Sequence, residues 1–128
     1  MRILLVEDDP INLVFGTALL ENLGFDFMAA SNGKECLAAL EMSTFDLVLI
    51  DIKMPILTGE EALCAIRNKE QGTTFHQPVI ALTAFSMHGD KDRFLKEGFD
   101  GYVSKPLITE DLIGEIKRVM GRGRNREM

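Results

Sequence analysis

The chain predicts an α/β domain in which a parallel sheet carries helices on both faces. Three observations predict it. Short apolar runs alternate five times with segments of helical periodicity, the signature of repeated strand–helix units. The run Leu47-Val48-Leu49-Ile50 is apolar throughout, as a central strand covered on both faces must be. The length of 128 residues suits one domain with one core.

Ile3-Leu4-Leu5-Val6 reads as the first strand. Asp9-Pro10 then opens a helix: Asp caps free amides, and Pro fits the first turn, where its missing N–H is not needed. Ile11, Val14, Phe15, Ala18 and Leu19 recur at helical spacing, and Gly24 closes the helix. Phe25 to Ala30 reads as the second strand. Asn32 and Glu35 form a capping-box pattern before a helix whose expected buried face is Leu37, Ala38 and Leu40. After the third strand, Thr58 and Glu61 form a second capping box, ahead of Ala62, Leu63, Ala65 and Ile66. Pro78 to Leu82 is the fourth strand. A helix through Phe94 and Leu95 stops at Gly98. Tyr102-Val103 is a short fifth strand. Thr109 is expected to cap the last helix, with Leu112, Ile113, Ile116 and Val119 on one face. The folded domain is expected over residues 1–120, with the Gly- and Arg-rich segment 121–128 as a flexible tail or linker remnant.

The composition is 46% hydrophobic and 27% charged, which places the chain among globular proteins rather than disordered ones. A net charge of −6 argues against direct nucleic-acid binding, which needs clustered Lys and Arg. The basic Lys117, Arg118, Arg122, Arg124 and Arg126 read as a solvated helix end. Cys36 and Cys64 fall on helical patterns and read as reduced core or boundary residues, and no Cys/His spacing supports zinc. His76 and His88 read as surface residues outside any phosphotransfer helix. The first apolar run is too short for a secretion signal, and no segment has membrane-spanning length. The expectation is a cytoplasmic domain without membrane contact.

The chemistry collects after the strands. Glu7-Asp8-Asp9 follows the first, Asp51 the third, Thr83 the fourth and Lys105-Pro106 the fifth. Carboxyl ends of strands in an open parallel sheet form the edge where ligands bind. Each residue alone has an ordinary reading as a cap, loop acid or solvated lysine. Together, acids, a hydroxyl and an ammonium describe a site for a divalent cation and a phosphoryl group. Asp51 can act as a nucleophile toward phosphorus. Glu7 and Asp8 can help hold magnesium. Lys105 and Thr83 can each meet a phosphoryl oxygen.

The words Ile3-Leu4-Leu5-Val6-Glu7-Asp8-Asp9, Val48-Leu49-Ile50-Asp51-Ile52-Lys53-Met54-Pro55, Ile80-Ala81-Leu82-Thr83-Ala84 and Gly101-Tyr102-Val103-Ser104-Lys105-Pro106 resemble a CheY-like response-regulator receiver domain of two-component signalling. The resemblance covers about Arg2 to Met120. It implies a flavodoxin-like (βα)5 three-layer sandwich with strand order 2-1-3-4-5. It implies that Asp51 is the phosphoacceptor. Mg2+, with Mn2+ as a substitute, is then held by Asp8, by Asp51, by the backbone carbonyl of Lys53 and through water by Glu7. Thr83 and Lys105 match the residues holding phosphoryl oxygens, and Tyr102 the aromatic that turns inward as Thr83 moves. The Lys105-Pro106 bond matches one that is cis in the family. The implied output is a changed face formed by the fourth helix, fifth strand and fifth helix. The implied partners are a histidine kinase and a histidine-phosphotransfer domain, and a homodimer through that same face occurs in the family. Glu-Asp-Asp-Pro-Ile-Asn and Ala-Leu-Thr-Ala-Phe-Ser resemble receivers fused to hybrid sensor kinases more than free-standing ones.

Two departures stand out. Thr58 replaces an Asp common in the family and reads as a helix cap. Lys53 and Phe85 occupy positions that influence attack of water on the acyl phosphate, and a bulky Phe85 predicts slow phosphate loss. Rival readings are weaker. An Asp-nucleophile phosphohydrolase usually has a second acid two residues on, where this chain has Lys53. A receiver fold without phosphorylation is at odds with the intact Glu7, Asp8, Asp51, Thr83 and Lys105 set. An FMN module needs a Ser/Thr/Gly-rich loop where Glu7-Asp8-Asp9 would repel phosphate, and no GxGxxG follows the first strand.

Overall fold

The computed structural model describes residues 1–54, 56–84 and 90–127; of 90, 91 and 122–127 the backbone alone is described. Pro55, Phe85 and His88 therefore lie outside the described residues, and with them the water-exclusion reading of Phe85. The elements run β1 (Arg2–Val6), α1 (Pro10–Asn22), β2 (Asp26–Ala30), α2 (Gly33–Met42), β3 (Leu47–Asp51), α3 (Gly59–Glu70), β4 (Val79–Thr83), α4 (Asp90–Glu97), β5 (Gly101–Ser104) and α5 (Thr109–Glu127). The five strands are parallel in the order β2-β1-β3-β4-β5. This is the flavodoxin-like order that the resemblance implied.

Every residue of the two central strands β3 and β4 is buried. Their side chains alternate between two cores. Leu4, Val6, Val48, Ile50, Val79 and Ala81 meet α2, α3 and α4, with Phe94 and Phe99 in edge-to-face contact. Ile3, Leu5, Leu47, Leu49, Ile80 and Leu82 meet α1 and α5, through Leu20, Leu112, Ile116 and Val119. Burying each large aliphatic side chain of this kind contributes about 1.5–3 kcal/mol.

The caps follow the sequence at three helices. The Asp9 side chain accepts from Ile11 N at 3.1 Å. The Asn32 side chain accepts from Glu35 N at 2.8 Å. Thr58 and Glu61 form a reciprocal capping box. At α5 the expectation needs correction: Leu112 N donates to Ile108 O at 3.0 Å, so Thr109 sits inside the first turn. That helix runs to Glu127, past the boundary expected after Met120.

The face of α1 is a second correction. Ile11, Val14 and Phe15 are exposed, and so is Ala18; Gly16 and Leu20 are buried. Two apolar stripes wind around this helix, and the periodicity of the outer one is as regular as that of the inner. Packing chooses the stripe containing Gly16, because a Cβ there would stand 2.9 Å from Leu5 Cδ2. The missing side chain lets α1 lie close on β1. In α2 the buried face is Cys36 and Ala39, flanked by partly buried Leu37 and Leu40, while Ala38 is exposed. Cys64 is exposed.

The end of the sheet opposite the strand carboxyl termini is tied by Arg67. Its guanidinium donates to Glu70, to Asp100 and to the carbonyls of Gln77 and Gly98. Asp100 also accepts from Val79 N at 2.8 Å, and Glu70 from Gln77 N at 2.6 Å. His76 is half-exposed, and its Nε2 lies 2.7 Å from Asp100 Oδ1.

Candidate functional site

Parallel register brings the functional residues level. Val6 pairs with Ile50, so Glu7 stands beside Asp51, the last residue of β3. Asp51 in turn pairs with Leu82, and Thr83, the last residue of β4, pairs with Ser104. Lys105 is therefore the next residue out on β5. Backbone bonds extend the ladder into the loops: Ile52 N to Leu82 O at 3.0 Å and Lys105 N to Thr83 O at 2.7 Å. With strands about 4.8 Å apart, residues 98 positions distant in sequence meet. The Lys105-Pro106 peptide is cis.

Lys105 Nζ lies 2.6 Å from Glu7 Oε1 and 3.0 Å from Asp51 Oδ2. Asp51 is 6% exposed and Glu7 3%. Asp51 Oδ1 accepts from Lys53 N at 3.3 Å, and Glu7 Oε2 from Asp9 N at 3.3 Å. Burial pushes the Glu7 carboxyl up to about 7, helped by the adjacent Asp51 carboxylate and opposed by Lys105. Burial alone would lower the Lys105 ammonium, but its hydrogen bonds and charge contacts with Glu7 and Asp51 hold it raised.

Carboxylate oxygens of Glu7, Asp8 and Asp51 lie within 4.8 Å of one another, with Asp8 the most exposed. Three acids gather around one ammonium, which leaves an excess of negative charge. An all-oxygen donor set with such an excess fits Mg2+, which takes one or two carboxylates and keeps several waters. Asp51, Ile52, Lys53, Thr83, Ala84 and Lys105 line a pocket of about 150 Å3. Thr83 is 1% exposed, and its place in this wall puts it with Asp51 and Lys105. Tyr102 stands farther along β5, half-buried, with its ring 6.1 Å from that of Phe94 on α4.

Gly59 fixes the loop after Asp51. Any Cβ there would overlap the Asp51 carbonyl oxygen and stand 3.0 Å from Ile52 Cα. Its N–H donates to Ile52 O at 3.1 Å, so α3 starts directly against the backbone of the acid. Between them Ile56 adopts φ 72°, a left-handed conformation that costs a non-glycine residue about 1–2 kcal/mol.

A second cleft of about 500 Å3 shares Ala84 and Lys105 with the pocket and continues over Ile11, Asn12, Phe15, Pro106 and Leu107. The sequence reading missed this extension because it took Ile11 and Phe15 only as part of the helical spacing of α1. The second apolar stripe of α1 was the available signal.

The family model of the response regulator receiver domain matches residues 3–117. Hybrid signal transduction histidine kinase I of Dictyostelium discoideum is 43% identical over 120 residues, covering 90% of this chain. The chain spans only 7% of that relative's length. The receiver domain of sensor histidine kinase PA1611 from Pseudomonas aeruginosa, solved with magnesium in its active-site cleft, is 33% identical with a TM-score of 0.81; the match covers 94% of this chain and 97% of that one. The receiver domain of Ssk1 from Saccharomyces cerevisiae, crystallised with the histidine phosphotransfer protein Ypd1, belongs to a match of 27% identity and TM-score 0.82, covering 91% of this chain and 86% of that one.

Proposed function

Because the chain belongs to the response regulator receiver domain family, a family of phosphoacceptor signalling domains, we propose that Asp51 is the residue that takes the phosphoryl group. The observation that carries this is Asp51 itself: a nearly buried carboxylate, 3.0 Å from Lys105 Nζ, opening into a pocket walled by Thr83.

A carboxylate oxygen of Asp51 attacks phosphorus on a phosphohistidine. The new O–P bond forms as the P–N bond breaks, and the donor imidazole leaves, taking a proton from solvent. Lys105 turns from Glu7 and Asp51 to a phosphoryl oxygen, and the Thr83 hydroxyl donates to another. Both stabilise charge that grows in the transition state. Asp8, Asp51 and the Lys53 carbonyl would hold Mg2+, with Glu7 reaching it through water; Mn2+ suits the same oxygens. Held there, the ion would supply positive charge to offset that of the transferring group. The domain catalyses only its own phosphorylation and dephosphorylation.

A phosphate adds roughly −2 charge at the end of β3. Thr83 and Lys105 follow that charge, Tyr102 turns inward, and the α4–β5–α5 face changes its affinity for partners, a second copy of the domain included. The phosphoryl source is a histidine kinase or a histidine-phosphotransfer domain, a reading supported by the Ypd1 complex of Ssk1. Residues 1–120 are the receiver unit, working in the cytoplasm within a hybrid kinase and without direct nucleic-acid contact. No described helix is long and apolar enough to cross a membrane.

Incubation with acetyl phosphate and Mg2+ tests the assignment. Wild type gains one acid-stable, base-labile phosphoryl group, and Asp51→Asn gains none.

A further inference from the structure

Ile56 combines two properties that each work against the isolated domain. Its backbone lies in the left-handed region at φ 72°, which Gly or Asn would adopt more readily. Its side chain is 74% exposed, so it gains little from packing. Its neighbours are anchored: Met54 is buried in the core, and Leu57 packs against that core and close over Gly33 of α2. Met54 and Leu57 therefore pin the chain on either side of the exposed Ile56. Strain of this kind points to a functional contact.

We propose that Ile56 is a specificity contact for the protein that delivers phosphorus to Asp51, meeting an apolar side chain beside the donor histidine. The inference rests on the phosphoacceptor reading above. Asp51 opens into a pocket of only about 150 Å3, so a phosphohistidine ring must enter it and bring its own backbone down onto the surrounding loops. Ile56 stands five residues after Asp51 on one of them. Strand β1 lies beside β3, and α1, which follows β1, presents exposed Ile11, Val14 and Phe15, the first and last of them lining a cleft that shares Lys105 with the Asp51 pocket. A donor seated over Asp51 covers this apolar rim. A small donor such as acetyl phosphate covers none of it.

The test compares donors. A panel of purified histidine-phosphotransfer domains, each phosphorylated on histidine, is screened against wild type, and the fastest is kept. Ile56→Asn accepts the left-handed backbone and removes the apolar contact. It should load from acetyl phosphate within about twofold of wild type, while KM for the protein donor rises about tenfold or more. Ile56→Leu keeps the apolar contact and should return KM to within about threefold of wild type. Unchanged transfer from the protein donor to Ile56→Asn overturns the proposal. So does an equal loss with acetyl phosphate, which would make Ile56 a shaper of the pocket. If acetyl phosphate loads wild type but no protein donor does, this proposal fails and the role of Asp51 stands. If neither loads it, the phosphoacceptor reading itself fails.

Discussion

Two charged clusters sit at opposite ends of the same sheet, and they are built to opposite rules. At one end Arg67 faces Glu70 and Asp100, and backbone N–H groups of Gln77 and Val79 complete the set. Both Glu70 oxygens and Asp100 Oδ2 accept from N–H donors there, and His76 faces both acids. At the other end Lys105 meets Glu7 and Asp51, with the Asp8 carboxylate beside them, so three acids gather around one ammonium. Burial raises the Glu7 carboxyl to about 7, and the adjacent Asp51 carboxylate adds to the rise. The satisfied cluster ties a loop to the sheet. The three-acid cluster is poised for a cation and a phosphoryl group. Density of charge does not mark a site; charge left over after local pairing does.

Breaking the balanced end should have the largest effect on stability. Arg67→Ala strips a partner from two mostly buried acids and should cost about 3 kcal/mol, read as a lower urea midpoint. Phosphorylation of the remaining folded protein should be unchanged, because the cluster lies away from Asp51. Equal loss of both would mean that the two ends are one unit.

Gly59→Ala probes the site end through its backbone. The added methyl meets the Asp51 carbonyl oxygen and Ile52, and overpacking of this kind costs about 1–3 kcal/mol. Here stability and phosphorylation rate should fall together, unlike the Arg67 case. A normal rate at low temperature would show that the loop can yield.

The pH dependence sharpens the contrast. A carboxyl whose folded pKa is raised binds its proton more tightly in the native state than in the unfolded chain. With Glu7 moved from 4.5 to about 7, its contribution is present below about 4.5 and lost as pH rises through about 7. Without divalent cations, wild type should lose stability across that window, and Glu7→Gln should lose less. Parallel pH profiles of thermal unfolding would show it. The smallest effect belongs to the exposed Lys69–Glu41 pair between α2 and α3. Lys69→Ala should leave the urea midpoint nearly unchanged, and a clear shift would mean that the pair braces the packing of those helices.

Much of this was legible before any coordinates. Strand ends announce themselves when an apolar run meets a charge, so Glu7, Asp51, Thr83 and Lys105 could be placed at one edge from the order of elements alone. Thr58 and Glu61 declared their helix start through local hydrogen bonding. The face of α1 was not legible, because its apolar residues form two stripes and only contact between Gly16 and Leu5 decides between them. Ile56 was hidden for the opposite reason: a β-branched residue argues against a left-handed backbone, so local preference pointed away from the observed state. The Arg67 cluster joins α3 to the start of β5, and only the Arg67–Glu70 spacing hinted at it.

The most direct test of the central claim is the site of phosphorylation. After incubation with acetyl phosphate and Mg2+, borohydride trapping and peptide mass spectrometry should find a single modified aspartate, Asp51, with nothing trapped in Asp51→Asn. A phosphoryl group trapped on Asp8, or undiminished trapping in Asp51→Asn, would contradict the account.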